Sequence, residues 1–143
     1  MKEQLQNRTK QLALAIIKLA EYLPNNRVGW TFTDQIVRSS TSVAANYRAV
    51  CRARSDKEFI AKMGIVIEEA DETLFWLEMI EESGVIDGLR FRNDDSKHAK
   101  STIIDQRSEI GNLKKEANEL VSIFVASVKT VKNRLNQKSS IPN

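Results

Sequence analysis

Cysteine is almost missing from this chain: Cys51 is the only one in 143 residues. An internal disulfide framework is therefore excluded, and a lone thiol suits a reducing cytosol. Cys51 has no evident histidine partner, so a small packed thiol is its default role. Histidine is equally scarce. With His98 alone, the paired Glu-x-x-His motifs of di-iron bundles cannot be built within one chain. Asp94, Asp95 and His98 form a weak metal-like cluster that reads better as solvated loop. Two prolines and five glycines are too few to punctuate many short strands. Pro24 and Pro142 both fall outside the periodic apolar runs, which favours long helices. No apolar run approaches about 18 residues and no basic-plus-apolar leader opens the sequence. Neither secretion nor membrane spanning is expected, and a cytoplasmic location is. There is no glycine-rich phosphate loop, no nucleophile elbow and no zinc-ligand spacing. The expectation is a protein without catalytic residues, metal or cofactor.

What is present is apolar residues at three- and four-residue spacing. They predict an all-α protein, an antiparallel up-down-up-down four-helix bundle occupying residues 1–136 as one domain. The first helix is expected over residues 2–23, with Leu5, Leu12, Ala15, Ile16, Leu19 and Leu23 inside. Ile17 and Ala20 widen that stripe. Pro24–Asn25–Asn26 is a stop signal. Residues 27–30 should then cross to a second helix over 31–52, capped by Thr31 or Thr33. Trp30 and Phe32 are expected to plug the bundle end, and base stacking is the competing role for Trp30.

The second helix carries three stripes. Ile36, Ser40, Val43, Tyr47 and Val50 form a buried face. Ser39, Ser42, Ala44, Ala45 and Ala49 allow a close neighbour. Arg38, Thr41, Ala45, Arg48 and Arg52 form a third line away from Ile36. Ser55 followed by Glu58 is a capping box. It starts a third helix over 57–83 that buries Phe59, Met63, Val66, Ala70, Thr73, Leu77 and Ile80. Gly84 ends it, and a looser stretch with a polar turn at 93–96 follows. The fourth helix, over 100–136, buries Ile110, Leu113, Ala117, Leu120, Phe124, Val128, Val131 and Leu135, with Val121 and Val125 broadening the stripe. Residues 137–143 read as a flexible tail.

Charge is distributed in blocks. Net charge is +6 over residues 1–62, −8 over 63–95 and +5 over 96–143. In an antiparallel hairpin Arg38 lies level with the third helix's carboxylates. It is expected to make a partly buried ion pair with Glu68, Asp71 or Glu72, where its planar fork suits a carboxylate; a phosphate contact is the alternative. The acidic cluster could offer oxygens to Mg²⁺ or Ca²⁺, but ion pairing on a solvated face is preferred. Up-down topology brings the turn between the second and third helices to the end that holds both chain termini. Arg48, Arg52, Arg54, Lys57 and Lys62 should therefore meet Lys129, Lys132 and Arg134 there. Such a patch could bind phosphates nonspecifically. The competing role of Lys129, Lys132 and Arg134 is to complement a helix dipole.

One stretch also carries a resemblance. Gln35–Ile36–Val37–Arg38–Ser39–Ser40–Thr41–Ser42–Val43–Ala44–Ala45–Asn46–Tyr47–Arg48 is similar to the signature of the bacterial four-helix bundle proteins, the 23S ribosomal RNA intervening-sequence family. Arg54, Lys57–Glu58–Phe59–Ile60, Glu72 and Trp76–Leu77 also stand where that pattern expects them, as do Glu116–Ala117–Asn118–Glu119–Leu120 and Lys129–Thr130. Many members have Glu-Gly in place of Ala49–Val50 and Gly-Ser in place of Glu68–Glu69. The resemblance implies a left-handed bundle, often assembled as a ring-like homopentamer. It supplies no catalytic residues. Two functions follow: a small homo-oligomeric protein that associates with RNA or DNA through a basic bundle end, or a non-enzymatic protein–protein scaffold whose charges order its own assembly.

Overall fold

The structure, a computed structural model, describes residues 1–87 and 96–140. Four helices account for nearly all of them: α1 (Lys2–Ala20), α2 (Arg27–Val50), α3 (Asp56–Ser83) and α4 (Ser96–Ser140). There is no strand among the described residues. Side-chain pairings fix the directions. Phe32 meets Trp76 while Ser39 bonds Thr73, so α2 and α3 run antiparallel. Asp56 meets Arg134 while Glu81 meets Lys114, so α3 and α4 do too. α1 packs on α2 and, less extensively, on α4.

Helix boundaries follow local chemistry, and several differ from expectation. α1 stops at Ala20 rather than Leu23. Glu21, Tyr22 and Leu23 instead donate their backbone N–H groups three residues back, to Lys18, Leu19 and Ala20. The chain tightens there because a residue before proline is pushed out of the α region, and Pro24 follows. Leu23 is nonetheless buried, as expected. α2 begins at Arg27, four residues before the expected start, because Asn26 caps it. The Asn26 side-chain oxygen accepts from the Gly29 N–H at 3.0 Å. Thr31 does not cap; its hydroxyl donates to the Arg27 carbonyl within the helix. Gly29 is required by this turn. A Cβ there would lie 1.7 Å from the Pro24 carbonyl oxygen.

Ser55 caps α3, accepting from the Glu58 N–H at 3.1 Å. The reciprocal half of the capping box is not made, since the Glu58 carboxylate turns to Arg54 and Lys62. Gly84 ends α3 in the left-handed conformation, φ 71°. α4 extends beyond the expected 100–136 at both ends. Nothing between Ser96 and Ile103 breaks a helix, and Ile103 is buried on the face of Ile110. At the other end no glycine or proline intervenes before Pro142, so residues 137–140, expected as tail, are helical. The turn at 93–96 falls mostly, and the cluster of Asp94, Asp95 and His98 falls wholly, outside the described residues and side chains.

The core lies between all four helices. Ile16, Leu19, Ile36, Val43, Met63, Val66, Leu77, Ile80, Ile110, Leu120 and Phe124 are fully buried, and Tyr47 stacks on Phe124 with ring centroids 5.4 Å apart. The buried hydroxyls are satisfied. Thr73 donates to Ser39 Oγ at 3.0 Å and lies 2.8 Å from the Glu69 carbonyl, tying α3 to α2. Several apolar expectations fail, and Ala15, Val128 and Leu135, expected inside, are only half-buried. Trp30, Ile17 and Val125 are exposed and Phe59 is only half-buried. Phe32 alone plugs the bundle end. Trp30 lies outside it, its indole N–H donating to the Asn25 side chain at 2.8 Å.

Candidate nucleic-acid interface

The short α2–α3 turn delivers four basic residues to one end of the bundle, and α4 brings its last turns alongside. A direct bond marks the meeting point. The Arg134 guanidinium donates to the Asp56 carboxylate, at the first residue of α3, at 3.0 Å. Arg48, Arg52, Arg54, Lys57, Lys129, Lys132 and Arg134 are all exposed, and Lys62 is half-buried. The structure thus brings the expected cations together, but it neutralises some of them. Arg54 and Lys62 both lie near Glu58, at 3.7 and 3.4 Å, and Arg134 is occupied by Asp56. Arg48, Arg52, Lys57, Lys129 and Lys132 have no ion-pair partner among the described residues. Uncompensated charge is what a phosphate can use. Exposed Lys138, beyond them on α4, adds to this end.

Arg38 pairs with α3 through Glu72, one of the three carboxylates expected, and adds Glu69, which was not. Its guanidinium contacts Glu72 and lies 3.2 Å from Glu69. Glu68 and Asp71 take no part and are exposed. On a helix, positions 69, 72, 73 and 76 share one flank, and Thr73 already faces α2. Positions 68 and 71 are rotated away from it. The Arg38 side chain is 49% exposed, so this is a surface network and not the partly buried pair expected. The contact holds the Glu72 carboxyl below the usual carboxylate range, with help from the Trp76 indole N–H. It raises the guanidinium in turn.

Two features lay hidden in the sequence. Arg8 on α1 binds Glu116, and lies 3.2 Å from Glu119, on α4. A 108-residue separation offers no local signal for that pair. The second is an open groove of about 750 Å³ between α1 and α2. Ala44 and Ala45 leave it room, Leu14 and Ile17 give it an apolar wall, and Lys10, Arg48 and Arg52 are its cations. Leu14 stands off the buried stripe of Leu12, Ile16 and Leu19, which was the available signal. Cys51 is free and half-buried, packed against the core. Burial pushes the neighbouring Tyr47 phenol up, and Cys51 adds to the shift. No group of three or more His, Cys, Asp or Glu among the described residues is placed to hold a metal ion. No described helix is long and apolar enough to cross a membrane.

Comparison with known proteins follows the fold. No curated protein matches. A crystal structure of a protein of unknown function from the S23 ribosomal protein family of Bacteroides thetaiotaomicron superposes with a TM-score of 0.66 at 24% identity. The match covers 87% of this chain and 98% of that one. At this identity the likeness speaks for the fold. The family model of the 23S rRNA-intervening sequence proteins matches residues 2–126, most of the chain and all of α1, α2 and α3. On that match the chain belongs to the 23S rRNA-intervening sequence protein family.

Proposed function

We propose that this protein is a self-assembling, non-enzymatic helical bundle of the cytoplasm that associates with RNA or DNA through its α2–α3 end. One observation carries the reading: cations without an ion-pair partner stand at that end on two helices, Lys57 on α3 and Lys129 and Lys132 on α4, clear of the α1–α2 groove that Arg48 and Arg52 line. A single copy presents few charges. A ring of copies, a pentamer by family resemblance, repeats them and gains through multivalency. Recognition of this kind reads the phosphate backbone, so affinity falls steeply with salt and varies little with sequence.

Binding of labelled single- and double-stranded RNA and DNA at low and physiological salt tests the proposal. Lys129→Glu with Lys132→Glu should weaken every one of these complexes and flatten the salt dependence, leaving the assembly intact. Arg54 and Arg134 are poorer targets because carboxylates already hold them. Absence of binding at low salt by the assembled protein would refute it. That outcome favours a scaffold, the reading supported by the open, partly apolar groove between α1 and α2.

A further inference from the structure

We propose that the outward face of α3 from one copy seats in the α1–α2 groove of a second copy, head to tail. The proposal rests on self-assembly as read above and names its two surfaces. The donor face lies opposite the buried line of Val66, Ala70, Thr73 and Leu77. It presents Ile65 at 46% exposure, then Glu68, Asp71, and Phe75 at 48%. Two large apolar side chains about 15 Å apart thus flank two carboxylates. Neither carboxylate has an ion-pair partner among the described residues, because Arg38 takes Glu69 and Glu72. The acceptor is complementary in both respects. Leu14 and Ile17 are 44% and 40% exposed along its α1 wall. Lys10, Arg48 and Arg52 also have no ion-pair partner, against one lining carboxylate, Glu3.

Gly64 makes the match specific to a close neighbour. It sits in the outer part of α3, and a Cβ added there would meet nothing within 4 Å. Glycine weakens a helix interior relative to alanine, so within one copy this residue has only a cost. Against a second copy it lets the α3 backbone approach the alanines at 44 and 45. The two surfaces occupy different helices, so the contact is heterologous. It generates a ring where the rotation closes and a filament where it does not. Opposed charges fix the register and exclude a groove-to-groove or α3-to-α3 pairing.

Light scattering over a dilution series, with helicity followed by circular dichroism, reads the outcome. Glu68→Lys with Asp71→Lys, and separately Arg48→Glu with Arg52→Glu, should each weaken self-association about 100-fold while the helices remain. Mixed in equal amounts, the two variants should reassociate into mixed dimers and short alternating chains, because each reversed face then meets its opposite; a five-membered ring would leave one like-charged junction and should not re-form. Gly64→Gln should keep a folded monomer at least as helical as wild type and still reduce association. Assembly of all three variants at the wild-type dissociation constant, or a mixture that stays monomeric, would overturn the interface alone. A wild-type chain that stays monomeric at every concentration would overturn self-assembly with it.

Discussion

Substitution of Gly29 by alanine separates a turn fixed by sterics from an ordinary helix start. Within a helix, glycine to alanine is favourable by about 0.5–1 kcal/mol, because the unfolded chain loses freedom and the helix gains propensity. Gly29 lies in the first turn of α2, where that gain should apply. The new methyl, however, would lie 1.7 Å from the Pro24 carbonyl oxygen and 2.7 Å from its carbon. Contact needs more than 3 Å, so the turn must move by over an ångström. Such overpacking costs about 1–3 kcal/mol. The displacement also threatens the Asn26 cap, which contributes about 1 kcal/mol. The expected net loss is about 1–3 kcal/mol. Urea unfolding at fixed protein concentration should show a lower midpoint with little change in slope. Gly111→Ala is the internal control: it meets nothing within 4 Å and should raise the midpoint. A Gly29→Ala protein as stable as wild type would refute the reasoning and show the turn free to open.

Leu77→Ala and Leu120→Ala, both at fully buried positions, should each lower stability by about 2–5 kcal/mol in the same assay. Arg38→Ala should cost no more than about 1 kcal/mol, because the guanidinium is half in water; a loss of several kcal/mol in thermal unfolding would contradict that. Glu72 supplies a pH dependence with a definite sign. Its folded pKa is depressed, so its contribution is complete above the unfolded value of about 4.3 and disappears as pH falls through the lower folded value. Glu72→Gln should therefore flatten the acid limb of a stability–pH curve, and an unchanged limb would count against the network. Lys129→Glu with Lys132→Glu should raise the nucleic-acid dissociation constant at low salt, as measured by fluorescence anisotropy.

The four helices were legible because each buries a stripe, and stripes are visible in one dimension. Leu12, Ile16 and Leu19, or Val66, Ala70, Thr73 and Leu77, announce their spacing directly. Ser55 and Gly84 were legible for a related reason: caps act within a few residues. The start of α2 was not, since choosing Asn26 over Thr31 depends on whether Pro24 can pack over Gly29. Likewise the level of Arg38 on α3 could be read from hairpin topology, but the choice of Glu69 over Glu68 depends on the rotation of one helix against another. The basic end could be located from chain direction alone. Which of its cations are spent on Asp56 and Glu58 could not, because that is decided by side-chain reach in three dimensions.

The bond between Arg8 and Glu116 has a consequence for the order in which the molecule comes together. The α2–α3 contacts of Arg38 close loops of 31 and 34 residues, whereas the Arg8 clip closes one of 108. Longer loops lose more chain entropy on closing, and α1 touches α4 less extensively than α3 does. The α1–α2 and α2–α3 hairpins, each joined by a short turn, can therefore form while α4 is still arriving, and the α1–α4 seam closes last. In the finished molecule the same seam should open first, and amide hydrogens of α1 should exchange ahead of those in α3. The seam between α1 and α4 is then the last to be secured, and a neighbour lying across α1 and α2 would steady one side of it.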